Sequence, residues 1–376
     1  MDGIGRDAAT NALPRKLDGL QVGRAIAALS VVLTHSVAYP YGGHAPHAWH
    51  LLGRYGVTLF FIISGFIMVH TTGAGPFDPR RFMANRIRRI VPIYFVANAV
   101  LMVLTLVAPG AFRRTVFNAA HIVRSLLFIP SYEPAGTGAI WPFFRLGWTL
   151  NYEMFFYVCF AALFALTAGR RALVLGAGFI GLILLGAAHP FTAAIPLFYT
   201  RIDTLGFVAG VALGIIGLKG GFQLRWGVMA VVLAASLVGY VYLAIHIDAI
   251  KDIVWTQVGM VAVCMAHIAL LVLLVDRAGW RAPRWLTFIG DASYSLYLFH
   301  MFVIGAVSAV AHRLPPSLTV PLIGVAVVAS LVTGGLAYRF VESPLNRLVR
   351  GRRPLTAAQI GDDAARAPTG GHAPRP

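Results

Sequence analysis

The sequence predicts an all-α polytopic membrane protein with about ten transmembrane helices and both termini in the cytoplasm. Of the 376 residues, 58% are apolar and only 12% are charged, and the mean hydropathy is +0.74. Soluble domains carry about 25% charged residues, so this composition excludes a water-soluble enzyme of this size. The apolar residues also form long runs, and the basic residues collect in alternate connections between those runs.

The apolar runs give the number of helices. A hydrocarbon core of about 30 Å requires roughly 20 apolar residues per helix. Ten runs meet this requirement, at residues 20–40, 52–70, 90–108, 144–167, 172–188, 196–217, 226–246, 253–275, 292–311 and 319–340. They divide the chain into a cytoplasmic segment 1–19, a transmembrane domain 20–345 and a disordered cytoplasmic tail 346–376.

The basic residues give the orientation. The chain has 31 Lys and Arg against 14 Asp and Glu, a formal net charge of +17. The ends of the ten runs form two sets; the set that includes both termini holds 21 of these basic residues, and the opposite set holds 7. By the positive-inside rule, both termini are cytoplasmic. Because the arginines lie in short loops between apolar runs, they indicate contact with lipid headgroups and not with nucleic acid.

Ionisable residues inside apolar runs are costly and indicate function. Arg24 and His35 lie eleven residues apart in the first run, which is about 20° from three full turns, so both occupy one helix face. They are predicted to face a path across the membrane; the alternative is an arginine that reaches the interface and a structural histidine. Glu153 falls inside the fourth run and is predicted to handle a proton or orient a histidine. Its alternative role is an ion pair with Arg24 or Arg145.

The loop after the second run is a candidate anion site. It holds Arg80, Arg81, Arg86, Arg88 and Arg89 within ten residues. Arginine binds phosphate with two parallel hydrogen bonds, so the cluster is predicted to hold a polyphosphate, in addition to its topological role. No glycine-rich phosphate loop is present, and no metal-ligand spacing is found around Cys159 or Cys264.

Further polar residues lie in or beside the other runs. Arg201 and Asp203 are two residues apart, and residues at that spacing on a helix do not face each other, so separate partners are expected. The residues proposed to line an acyl or acceptor pocket are Ser64, Asn151, Tyr152, Arg201, Asp203, Tyr297 and His300. No metal ligand is predicted among them.

Five stretches carry a family resemblance. They are LQVGRAIAALSVVLTH (20–35), GVTLFFIISGFIM (56–68), RRFMANRIRRIVPIYF (80–95), GWTLNYEMFFYV (147–158), and SYSLYLFH (293–300) with YRFVESPLNR (338–347). In this order the chain resembles the integral-membrane acyltransferase-3 family, in its exopolysaccharide-production O-acetyltransferase branch. Many relatives have Asp where this chain has Thr58, so no acidic role is transferred to that position.

The resemblance implies a multi-pass enzyme of the bacterial cytoplasmic membrane. It implies transfer of an acetyl group from cytoplasmic acetyl-CoA, with no tightly bound cofactor, to a hydroxyl of an exopolysaccharide, another cell-surface glycan or a lipid-linked oligosaccharide precursor. By motif, Arg24 and His35 take the family's essential pair, Arg86 and Arg89 its Arg-x-x-Arg pair, and Glu153 its acidic position. His35 is expected either to deprotonate the acceptor hydroxyl or to carry the acetyl group transiently.

A transporter or flippase of a glycan or lipid precursor is the alternative function. Such a protein would use the same intramembrane charges to line a substrate path. Transporters often contain inverted repeats and paired broken helices, and neither is found in this sequence. The sequence leaves open the sugar that is modified, the choice between acetyl and longer acyl groups, and the oligomeric state.

Overall fold

The computed structural model describes residues 17–39, 46–108, 115–221, 225–246 and 253–350. Every regular element in these residues is a helix. The α-helices are α1 (Asp18–Ala38), α2 (His47–Thr72), α3 (Pro79–Val107), α4 (Ala119–Leu126), α5 (Trp148–Ala162), α6 (Ala168–Ala188), α7 (Ala194–Tyr199), α8 (Leu205–Leu218), α9 (Trp226–His246), α10 (Ile253–Leu271), α11 (Arg284–Asp291), α12 (Ser293–Ala311), α13 (Thr319–Ala337) and α14 (Ser343–Arg350). Two π-helical segments, Val272–Arg277 and Tyr338–Glu342, extend α10 and join α13 to α14.

The all-helical class is confirmed. Eight helical segments in the described ranges are long and apolar enough to cross a membrane, judged by length and composition. The other two predicted runs, 144–167 and 196–217, contain shorter helices: α5 in the first, and α7 with α8 in the second. The count of ten spans and the cytoplasmic position of both termini remain predictions.

The predicted terminal segments are only partly within the structure. Residues 1–16 and 351–376 lie outside the described residues. Residues 346–350, which the sequence assigns to the tail, belong to α14. The connection between α3 and α5 contains the short helix α4.

Carboxylate side chains cap the N-termini of two helices, α1 and α3. The Asp276 side chain accepts hydrogen bonds from the backbone N–H groups of Asp18 and Gly19, at 2.9 and 3.1 Å. The Asp78 side chain accepts hydrogen bonds from the N–H groups of Arg80 and Arg81 at the start of α3. These bonds satisfy donors that a helix cannot satisfy internally, and they place negative charge at the positive end of the helix dipole.

Glycines allow α2 and α8 to pack with their backbones in contact. An added Cβ at Gly210 of α8 would lie 2.0 Å from the carbonyl oxygen of Ile62, and one at Gly65 of α2 would lie 2.3 Å from that of Phe207. Gly206 and Gly214 extend the contact surface at intervals of four residues, the small-xxx-small pattern of close membrane helix pairs. Gly65 is therefore explained by helix packing.

Aromatic rings fill the space between this helix pair and α5. The Phe207 ring stacks on Phe61 of α2, with centroids 4.3 Å apart, and on Phe156 of α5, with centroids 4.6 Å apart. All three side chains are almost fully buried. The stacked rings hold α5 in register against α2, which fixes the height at which α5 presents its polar side chains.

The buried side chain of Arg171 holds the connection between α2 and α3 in place. The Arg171 guanidinium donates hydrogen bonds to the carbonyl oxygens of Gly75 and Leu166, at 2.8 and 2.7 Å, and to the Thr72 hydroxyl. Its Cζ also lies 4.5 Å from the centroid of the Phe77 ring. By the positive-inside rule, arginines in the loops indicate the orientation of the chain in the membrane. The structure gives Arg171 a second role, because its hydrogen bonds hold the connection between α2 and α3 in place.

The α2–α8 contact predicts that the loss of stability on replacing a glycine by alanine depends strongly on whether the glycine lies in this contact. Gly210→Ala forces the two backbones apart, and we expect it to destabilise the protein by about 1–3 kcal/mol. Gly181→Ala in α6 is the matched control, because no atom lies within 4 Å of the added methyl group. Thermal unfolding of the purified proteins in detergent measures the effect. Equal midpoint temperatures for Gly210→Ala and Gly181→Ala would contradict the proposed close contact.

Candidate active site

Five helices surround a cavity of about 730 Å³, a volume that includes its open mouth. Helices α1, α2, α3, α5 and α12 contribute side chains, so residues far apart in the sequence meet in one place. Polar and charged side chains concentrate along a mainly apolar wall. They are Arg24, Ser64, Arg86, Arg89, Thr149, Glu153, Tyr157, Ser293, Tyr294 and Tyr297.

Three arginines give this cavity a positive character. Arg24 is buried, with 9% of its surface exposed, and its nearest recorded hydrogen-bond partner is the Gln21 side chain at 3.4 Å. Arg86 and Arg89 enter from the first turns of α3. Within the described ranges, no carboxylate lies at salt-bridge distance from any of the three. Glu153 is the one carboxylate among the residues that line the cavity, so the three arginines leave an excess of positive charge, which favours an anionic ligand.

The remaining arginines of the predicted cluster stay outside. Arg80, Arg81 and Arg88 are exposed and do not line the cavity. The helical periodicity of α3 explains this division, because residues 86 and 89 share a face, whereas residue 88 lies about 200° from residue 86. Arg86 also lies over two aromatic rings, with its Cζ 5.6 Å from the Phe82 centroid and 5.8 Å from that of Tyr157.

Glu153 is held by hydroxyl groups. Its Oε1 accepts a hydrogen bond from the Ser64 hydroxyl of α2 at 2.7 Å and another from the Tyr157 hydroxyl. Arg145, one candidate partner from the sequence, instead pairs with Glu133 at 2.9 Å. Tyr157 was missed in the sequence analysis. Its position one helical turn after Glu153 is the signal that could have identified it.

Tyr297 lines the cavity and joins α12 to the start of α5. Its hydroxyl lies 2.9 Å from the Thr149 hydroxyl and 3.1 Å from the carbonyl oxygen of Leu146, at the start of α5. Nearby, the Tyr294 hydroxyl donates to the carbonyl oxygen of Ile90 at 2.9 Å, which joins α12 to α3. These bonds connect α12 to α3 and to the start of α5 at the cavity wall.

Beyond Tyr297 lies a pair of histidines. The Tyr297 and His300 rings have centroids 6.1 Å apart, and His300 Nε2 lies 2.9 Å from Nδ1 of His35. Both Arg24 and His35 therefore lie near α12, although only Arg24 lines the cavity. Neither His35 nor His300 lines the cavity, and Tyr297 is the cavity residue whose ring contacts His300.

Four other predicted pocket residues lie elsewhere. Tyr152 is buried and donates a hydrogen bond to the carbonyl oxygen of Phe198 at 2.8 Å, and Asn151 is buried without a side-chain hydrogen bond among the described residues. The expectation that Arg201 and Asp203 do not face each other is wrong, because Arg201 Nε lies 3.1 Å from Asp203 Oδ2. Asp203 also has a separate partner, since its Oδ1 lies 3.7 Å from Nη1 of Arg54. Residues 202–204 form a 3₁₀ turn, and the helical spacing rule does not apply to the chain entering it.

A second, smaller cavity of about 270 Å³ lies beside the start of α5. Glu133, Arg145 and His121 line it. The Glu133 carboxylate binds Arg145, and the His121 ring lies 3.1 Å from the Ser131 hydroxyl. Burial, the largest cause, lowers the pKa of His121, which favours its neutral form.

Sequence comparison decides the family. A family described as an acyltransferase domain matches residues 17–337, which covers all five helices of the large cavity. The chain belongs to the acyltransferase-3 family. The arginine cavity and the histidine pair are thus features of an acyltransferase. With the eight long apolar helices, family membership identifies a multi-pass membrane protein.

Named relatives of this acyltransferase include bacterial proteins of three kinds. The exopolysaccharide production protein ExoZ of Rhizobium meliloti (strain 1021) is 36% identical over 82% of this chain and 94% of its own length. The acyltransferase MdmB of Streptomyces mycarofaciens is 25% identical over 82% of the chain and 84% of its own length. The O-acetyltransferase OatA of Staphylococcus aureus (strain NCTC 8325 / PS 47) is 24% identical over 89% of the chain, which spans 58% of OatA. No solved structure shows a significant match.

The division of the arginine cluster predicts unequal effects on acyl transfer. Arg86→Gln and Arg89→Gln each remove a cavity charge, and a lost charge-assisted hydrogen bond costs about 1.5–3 kcal/mol, or roughly a ten- to hundredfold rise in the KM for an anionic donor. Arg88→Gln removes the same charge from the exposed face of the same helix and is the control. Steady-state transfer by each purified variant measures the effect. If all five arginines of the cluster bound the donor, Arg88→Gln would raise the KM by a similar factor, and this result would contradict the prediction.

Proposed function

We propose that this acyltransferase moves an acetyl group from cytoplasmic acetyl-CoA to a hydroxyl of an exopolysaccharide, another cell-surface glycan or its lipid-linked precursor. The bacterial cytoplasmic membrane is the proposed location. The names of two relatives support the acceptor and the reaction, since ExoZ is an exopolysaccharide production protein and OatA is an O-acetyltransferase.

One observation carries the proposal for the donor. Arg24, Arg86 and Arg89 meet in one cavity without a carboxylate at salt-bridge distance in the described chain. Phosphate groups of a coenzyme A ester would supply the missing negative charge, and arginine suits phosphate through its planar set of donors. The largely apolar remainder of the cavity wall suits the flexible thioester arm, which would extend toward Tyr297.

The proposed chemistry uses His35 as the base. The acceptor hydroxyl oxygen forms a bond to the thioester carbonyl carbon, and the carbon–sulfur bond breaks. His35 takes the hydroxyl proton and returns it to the leaving thiolate, so the products are a glycan ester and free CoA with its thiol protonated. Positioning both substrates at this base converts a bimolecular reaction into one within a single complex.

The start of α5 is the proposed approach for the acceptor. The smaller cavity there offers Glu133, Arg145 and His121, and carboxylate, guanidinium and imidazole groups all hydrogen bond to sugar hydroxyls. Phe144, next to Arg145, stacks on Phe302 of α12 with centroids 5.8 Å apart. Phe302 is on the helix that carries His300, so this segment contacts that helix.

Loss of the base tests the assignment of His35. We expect His35→Ala to lower glycan acetylation at least about a hundredfold, because general-base catalysis typically contributes 10²–10⁴ in rate. The measurement is mass spectrometry of surface glycan from cells that make the variant, with membrane insertion checked by immunoblot. His189→Ala, an exposed histidine in the chain after α6, is the control. Unchanged acetylation by a fully inserted His35→Ala protein would remove His35 from the mechanism.

A reaction with purified protein tests the donor. Reconstituted protein is given acetyl-CoA radiolabelled in the acetyl group, together with a glycan acceptor fraction. We expect equal amounts of free CoA thiol and labelled glycan. Movement of glycan or lipid across the vesicle membrane without CoA release would instead support the transporter or flippase alternative.

A further inference from the structure

His300 is a fully buried side chain with partners on both ring nitrogens. It lies on α12 with 0% of its surface exposed. Its Nδ1 lies 3.1 Å from the carbonyl oxygen of Leu296, one turn earlier on the same helix. Its Nε2 lies 2.9 Å from Nδ1 of His35 on α1. The two contacts form a chain from the α12 backbone to the proposed base.

The chemistry of these partners fixes the protons. A carbonyl oxygen can only accept a hydrogen bond, so Nδ1 of His300 carries a proton and donates it to Leu296. In a neutral imidazole the other nitrogen is then an acceptor, so Nε2 of His300 receives the bond from His35. Nδ1 of His35 is therefore protonated, and Nε2 of His35 carries the free electron pair.

The ring geometry agrees with a bond in the plane of both imidazoles. The His35 and His300 planes differ by 23°, and the centroids are 5.1 Å apart. The centroid distance exceeds the nitrogen–nitrogen distance by roughly two ring radii, so the rings meet edge to edge and do not overlap face to face. A hydrogen bond directed along the ring edges is the strong, orienting arrangement.

His35 is more exposed than His300 and differs from it at Nε2. Its side chain is half-buried, in contrast to that of His300, and no described residue hydrogen bonds to its Nε2. An imidazole that is held through Nδ1 and open at Nε2 is oriented in the same way as a general base with a supporting partner. Glu153, which the sequence suggested as such a partner, is bound to Ser64 and Tyr157 instead.

We infer that His300 is a positioning residue that holds His35 in the Nδ1–H tautomer and directs its Nε2 toward the acceptor hydroxyl. The inference rests on the proposed function, in which His35 is the base. A neutral histidine does this work without placing a second carboxylate in the apolar bundle, where an unpaired charge is costly. In this arrangement His300 does not contact either substrate, and it affects the rate of acetyl transfer only by orienting His35.

Two substitutions of His300 separate positioning from simple packing. His300→Phe keeps a ring in the buried space but removes the acceptor, and we expect kcat to fall at least about a hundredfold with little change in the KM for acetyl-CoA. His300→Gln places an amide oxygen near the position of Nε2, so it should restore most of the lost kcat. His312→Phe, at the exposed end of the same helix region, is the matched control.

A double substitution tests the route of the effect. If His300 acts only through His35, then His35→Ala with His300→Phe loses no more activity than His35→Ala alone. Losses that multiply would overturn the inference, as would His300→Phe activity equal to that of the parent protein. His300→Gln as inactive as His300→Phe, with both folded, would also overturn it. In each of these cases, acetylation by the parent protein would leave the proposed function standing.

Nitrogen-15 NMR of histidine-labelled protein in lipid vesicles gives a readout that does not depend on activity. The His35 signals are assigned by their absence in His35→Ala. We expect a protonated Nδ1 and an unprotonated Nε2 in the parent protein and in His300→Gln, and a mixture of tautomers in His300→Phe. A protonated Nε2 in the parent protein overturns the inference even if the enzyme is active. If the parent protein shows the expected tautomer of His35 but transfers no acetyl groups, the proposed function is refuted and the inference about His300 stands.

Discussion

The compensation of charge inside an apolar helix bundle is the constraint on which this site depends. Ionised side chains in a membrane require partners, water or a ligand, since isolated charges there are strongly disfavoured. Oε1 of Glu153 accepts hydrogen bonds from two hydroxyl groups. Arg24, Arg86 and Arg89 line the same cavity as Glu153, and no carboxylate in the described chain lies within salt-bridge distance of them. The protein thus has an excess of positive charge at one location, which an anionic donor would balance on binding.

The rigid framework around the cavity comes from close helix contacts. Glycines of α8 bring its backbone against α2, and the stacked rings of Phe61, Phe207 and Phe156 extend this contact to α5. Ser64 lies on α2 and Glu153 on α5, so the close packing of these helices fixes the geometry of the hydrogen bond between them. Dense packing of this kind also resists displacement when a charged substrate enters the cavity.

In the proposed mechanism, donor binding and proton transfer take place in different parts of the bundle. Guanidinium groups concentrate where α3 begins, and the histidine pair lies beyond Tyr297. Such an arrangement would keep the phosphates of a donor away from the proposed base, whose neutral form is needed to accept a proton. The hydrogen bonds from Tyr297 to the start of α5 place an ordered polar junction between the two parts.

The sequence by itself determined the class of the protein, most of its long helices and its family. Composition and run length decide these features because a bilayer accepts few kinds of structure. The family resemblance also singled out Arg86 and Arg89, which share one face of α3. Only the tertiary structure decided which distant residues meet. The pairing of His35 with His300, the contact of Glu153 with Ser64, and the Arg201–Asp203 pair depend on how helices and turns pack, and spacing along one segment carries no information about its neighbours.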